Sequence, residues 1–166
     1  MREFKRAVFT SFCASVVLAF FACEWNREYV LKHLPAGENR SIIILADTGA
    51  EITSTIFYQV KLGDQTVVST YRICNAAKDP RSLSFKTLSA SGGNLIAVYE
   101  ETNPESIVVL HDFSEGKSWP RGASEENDAA ITRTGERLLK KLQQEYANSN
   151  LTLNGEACGI KSSTTR

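Results

Sequence analysis

Hydrophobic and polar positions change period several times along the chain, and each change predicts an element. Residues 7–22 form a continuous uncharged run rich in Ala, Val, Leu and Phe. In 23–40, Trp25, Tyr29, Val30, His33 and Leu34 fall at loosely helical spacing before Pro35-Ala36-Gly37. That pattern predicts a tether or short N-terminal helix ended by a turn. Six strand-like runs follow. Residues 41–46 are continuously apolar, as for a buried strand. Residues 54–62 alternate, with Ile56, Tyr58, Val60 and Leu62 on one face, and Gly63-Asp64 suits a two-residue hairpin turn. The chain returns over 66–73, loops through 76–82 around Pro80, and continues in short strands over 83–88, 95–99 and 107–113. Ser89 to Asn94 reads as a turn, and Pro104 marks a bend.

A different period takes over near the C-terminus. Ile131, Gly135, Leu138, Leu142 and Tyr146 recur at spacings of three and four, the stripe of an amphipathic helix. Ser124 suits its N-cap, and Glu125, Glu126 and Asp128 bring negative charge to its start. Gly135 on the stripe predicts a close approach to the sheet. Leu151 and Leu153 suit a short edge strand, and 154–166 reads as a flexible C-terminal tail. Strands joined by short polar turns favour antiparallel pairing over helical crossovers. The expectation is therefore an α+β domain over 41–153. In it, an antiparallel β-meander of five to seven strands packs against one long C-terminal helix.

Charge changes the picture at the N-terminus. Arg2, Lys5 and Arg6 precede the apolar run. A basic start and an apolar core shorter than the ~20 residues of a membrane-spanning helix predict a signal peptide over 1–22. Its end, Leu18-Ala19-Phe20-Phe21-Ala22-Cys23, resembles a bacterial lipoprotein signal. That resemblance implies lipidation at Cys23 and attachment to the periplasmic face of a membrane, with Glu24 favouring the outer one. Soluble periplasmic or secreted protein is the alternative. Removing Arg2, Lys5, Arg6 and Glu3 from the 19 basic and 19 acidic residues leaves 16 and 18, a balance that argues against nucleic acid as a partner.

Cysteine usage fits export. With Cys13 in the leader and Cys23 lipidated, Cys74 and Cys158 remain as a pair in an oxidising compartment, which predicts a disulfide. It would close a loop of roughly 85 residues, worth about 4 kcal/mol in loop-entropy models.

Candidate chemistry is sparse. His111-Asp112 at the end of an apolar strand invites a hydrolase reading, but no Gly-x-Ser-x-Gly turn presents a nucleophile. The two histidines, His33 and His111, do not make a zinc site. Ser91-Gly92-Gly93-Asn94 lacks the lysine and helix of a phosphate loop. Glu100, Glu101 and Glu105 lack the spaced ligands of a calcium loop. No metal or cofactor is expected. Trp119-Pro120 offers a possible binding surface, the alternative being Trp119 folded back onto the core.

Two segments, Asp47-Thr48-Gly49-Ala50-Glu51-Ile52-Thr53 before Phe57-Tyr58-Gln59-Val60, and Leu110-His111-Asp112-Phe113 through Trp119-Pro120, resemble small uncharacterised bacterial exported proteins. The resemblance implies location and fold class and brings no activity. The expectation is an exported, lipid-anchored envelope protein that binds another protein, of inhibitor or immunity type. The alternative is a small periplasmic hydrolase using His111 and Asp112.

Overall fold

The computed structural model describes residues 28–47, 54–76, 79–120, 128–154 and 157–158. The leader, Cys23 and the expected N-cap at Ser124 lie outside them. Among these residues, ten strands and one long helix follow in the order β1 (Glu28–Pro35), β2 (Arg40–Asp47), β3 (Ser54–Leu62), β4 (Gln65–Ala76), β5 (Phe85–Ala90), β6 (Leu95–Glu100), β7 (Asn103–Asp112), β8 (Lys117–Trp119), α1 (Asp128–Glu145), β9 (Thr152–Leu153) and β10 (Ala157–Cys158). A short 3-10 turn, Pro80–Ser82, stands between β4 and β5. No helix among the described residues is long and apolar enough to cross a membrane.

The strands form two sheets, not the single meander expected. The first has the order β1-β2-β3-β4-β10, and the second β5-β6-β7-β8, with β9 also pairing β7. All pairings are antiparallel except β10 on β4 and β9 on β7. The second sheet is the middle layer. On β6, Ile96 and Val98 join the core shared with the first sheet, while Leu95 and Ala97 join the core under α1. A strand buried on both faces needs an unbroken apolar run, which is what 95–98 and 107–110 supply.

Two expectations about the chain ends need correction. The segment expected as a helix or tether is β1, an edge strand. A register shift between Val30 and Lys32 breaks its alternation, so the residues packed inward, Tyr29, Leu31 and Leu34, fall at spacings of two and three. That irregularity blurs the strand period. The segment expected as a flexible tail contains β10, which pairs Ala157 with Asn75 and Cys158 with Ala76. It covers the otherwise unpaired side of β4, which satisfies edge backbone groups.

On α1, Leu138 and Leu142 are fully buried against the second sheet, flanked by Ile131, Leu139 and Tyr146. Gly135 lets the helix close on Trp119: a Cβ there would stand 2.5 Å from Trp119 Cδ1 and 2.9 Å from Leu153 Cδ1. Gly135→Ala gains about 1 kcal/mol of helix propensity, but overpacking a rigid indole costs about 1–3 kcal/mol. The expected result is a net loss, read as a lower urea midpoint at unchanged slope. A midpoint raised by the propensity gain alone would contradict the close packing.

Candidate functional site

One row of cross-strand neighbours in the second sheet brings together most of the polar groups of interest. Ser89 on β5 pairs with Ile96 on β6, Ile96 with His111 on β7, and His111 with Ser118 on β8. On β7 the pairings Val98↔Val109 and Tyr99↔Ile107 leave Val108 as an extra residue. This bulge shifts the alternation, so Ile107 packs under the helix and Val109 into the core between sheets. From there His111 follows Val109 toward the first sheet, and Asp112 follows Leu110 toward the helix.

His111 is 1% exposed. Its Nδ1 lies 2.7 Å from Ser118 Oγ, and its ring meets Phe113 edge-on with centroids 4.4 Å apart. Nε2 is buried and has no hydrogen-bond partner among the described residues. Burial pushes the imidazole down to about 4, with the Arg40 charge adding to the depression and Asp112 opposing it. His111 is therefore neutral at pH 7.

Asp112, also 1% exposed, is occupied on the other face. Its Oδ1 accepts from the Ser114 amide at 2.9 Å, the Ser114 hydroxyl at 2.5 Å and the Glu115 amide at 3.2 Å, closing the β7–β8 turn. Its Oδ2 accepts from Lys141 Nζ at 3.0 Å. Burial pushes this carboxyl up, but the bonds from Ser114, Lys141 and the Glu115 and Ser114 amides outweigh it and hold it below its ordinary value. Lys141 also bonds Glu115, which Arg137 pairs at 2.6 Å. The bonds from Lys141 and Arg137 hold the Glu115 carboxyl low, and those to Glu115 and Asp112 hold the Lys141 ammonium high. The fold thus gives His111 and Asp112 separate partners on opposite faces of the sheet.

The other candidates scatter. Trp119 is 8% exposed, in the core between the second sheet and α1. Of the two expected placements, contact surface or folded back onto the core, Trp119 takes the second, because strand alternation on β8 turns Ser118 toward His111 and Trp119 toward the helix. Pro120 follows through a cis peptide, and its carbonyl accepts from the Tyr58 hydroxyl at 2.5 Å, a bond between the two sheets. Cys74 is buried on β4. Glu100 accepts from Thr102 Oγ1 at 2.7 Å, and Glu101 takes Ser84 Oγ at 2.8 Å and Lys86. Among the described residues no three His, Cys, Asp or Glu side chains converge as metal ligands.

Sequence reasoning missed Ser118, Tyr58 and Arg40. Ser118 had a usable signal, since His111 and Ser118 flank Ser114-Glu115-Gly116 as hairpin partners do. Arg40 reaches from β2 to Asn94 Oδ1 at 3.0 Å, with its guanidinium 5.0 Å from the Phe113 ring centre. Beside it lies a cleft of about 550 Å³ between the β1–β2 turn and the β5–β6 hairpin. Compared with protein-family models, with curated proteins and with solved structures, the chain matches none of them.

Proposed function

We propose that the chain is an exported envelope protein, tethered by lipid on Cys23 to the periplasmic face of a membrane, that acts as a protein-binding module of inhibitor or immunity type. The observation that carries this reading is the separation of His111 from Asp112. A base oriented by a carboxylate needs both on one side of the strand, whereas here each is buried among partners that hold the fold together. A contact surface then has to come from exposed positions. Leu62 and Val67, 47% and 48% exposed near the end of the β3–β4 hairpin, are apolar side chains open to such contact.

Purified protein on beads, incubated with envelope extract, tests the reading. Retention of a specific partner by the wild type and its loss with the Leu62→Asp/Val67→Asp pair is the expected result. The hydrolase alternative now rests on His111 with Ser118, whose 2.7 Å separation suits a base and nucleophile. Ester hydrolysis abolished by His111→Ala in a folded protein would replace the binding reading with that one.

The anchor and the bridge belong to the same proposal. Fatty-acid labelling of cells should be lost in Cys23→Ser, and equal labelling of both proteins would remove the anchor. Cys158 is the proposed partner of Cys74, since β10 runs beside the strand that carries Cys74. After thiol blocking, mass spectrometry of unreduced exported protein should find one Cys74–Cys158 peptide pair. Both thiols alkylated would remove the bridge.

A further inference from the structure

The cleft beside Arg40 has the chemistry of a ligand site. Arg40 is half-buried and takes part in no ion pair among the described residues. One hydrogen bond to Asn94 and the Phe113 ring hold its guanidinium in place, so little side-chain freedom remains to be lost on binding. A partly desolvated cation with no ion-pair partner among the described residues favours an anion placed against it.

The walls select among anions. Thr87 and Ser89 bring hydroxyls along β5, while Pro35, Ala36 and Ile96 bring apolar surface. Gly92 adopts φ +64° with open space where a Cβ would stand, so backbone lines that side of the cleft. The volume, about 550 Å³, lies within the range of small-molecule sites, about 300–1,000 Å³. Glu38 also lines the cleft. A second negative charge on the ligand meets repulsion there, which favours a monoanion over a phosphate dianion.

We propose that this cleft binds a small organic monocarboxylate, with its carboxylate on the Arg40 guanidinium, its body against Ile96 and Pro35, and a hydroxyl on Thr87 or Ser89. This goes beyond the protein-binding reading and does not depend on it. The site also reports its own occupancy. Arg40 stacks on Phe113, which packs on His111, and the Arg40 charge helps depress the His111 imidazole. An anion on Arg40 offsets that field, so a bound carboxylate raises the His111 titration midpoint.

Butanoate, 3-hydroxybutanoate and inorganic phosphate are titrated into the full exported chain, followed by calorimetry and by the His111 ring resonances. Saturable binding of both carboxylates is expected, tighter for 3-hydroxybutanoate, with a raised His111 midpoint at saturation. Arg40→Gln should weaken binding about tenfold or more and abolish the His111 shift. Glu38→Gln, on an exposed turn, should tighten binding, and it keeps the test open if Arg40→Gln does not fold. No saturable binding to the wild type overturns the proposal. So does equal binding by folded Arg40→Gln, tighter binding of phosphate than of either carboxylate, or no tightening in Glu38→Gln.

Discussion

Asp112→Ala is expected to destabilise the protein by about 2–3 kcal/mol at pH 7 and to leave any binding activity of the folded fraction unchanged. The magnitude follows from what the carboxylate holds. Its Oδ1 serves two backbone amides and one hydroxyl in the β7–β8 turn, and Oδ2 serves Lys141 from α1. Truncation orphans these donors together, and a hydrogen bond to a charged group contributes about 1.5–3 kcal/mol. Breaking a fully buried ion pair costs about 3–5 kcal/mol, but Lys141 is 34% exposed and can turn to water and to Glu115. Asp112→Asn keeps an acceptor for the turn amides and loses only the charge toward the helix, so it should fall between alanine and wild type. Urea unfolding followed by the emission of buried Trp119 measures both. A wild-type midpoint in Asp112→Ala would show that the carboxylate is not the joint between turn and helix.

The elements legible in the sequence were those whose signal is local. β3 begins at Ser54 and ends at Leu62, as its alternation predicts, and the stripe through Leu138 and Leu142 is the buried face of α1. The second sheet was not legible as a separate layer, because alternation reports burial of one face at a time. The unbroken runs 95–98 and 107–110 were the clue to a strand covered on both sides. β9 falls where Leu151 and Leu153 predict a short strand, whereas the two-residue β10 has no period of its own, and only its pairing with β4 makes it a strand.

The candidate site divides the same way. His111 and Asp112 stand out as residue types, and adjacent strand positions point to opposite faces, so their separation was implicit in the sequence. Which face each would take depended on the bulge at Val108, for which 107–110 offers no marker. Arg40 is a single arginine at a strand start. Only the approach of the β5–β6 hairpin gives it Asn94 and a cleft.

Acid should weaken the fold in two separate steps, the first of which belongs to His111. The imidazole titrates near 4 in the folded protein, against an ordinary value of 6.5. Between these values the unfolded chain binds a proton that the folded chain refuses, so stability falls as pH drops from about 6.5 to about 4 and levels off below. At about 1.4 kcal/mol per pH unit, the full loss is about 3 kcal/mol. Asp112 acts lower and in the usual carboxylate sense. Its depressed value makes it a source of stability that is present above about 3.8 and lost as pH falls further. His111→Asn keeps a hydrogen-bonding side chain beside Ser118 Oγ and removes the titrating ring, so it should flatten stability between pH 6.5 and 4 and leave the lower step in place. Denaturation midpoints at intervals from pH 7.5 to 3 measure the two steps. A wild-type curve flat down to pH 4, or a His111 ring that titrates near 6.5, would mean that protons reach Nε2 without opening the core between the sheets.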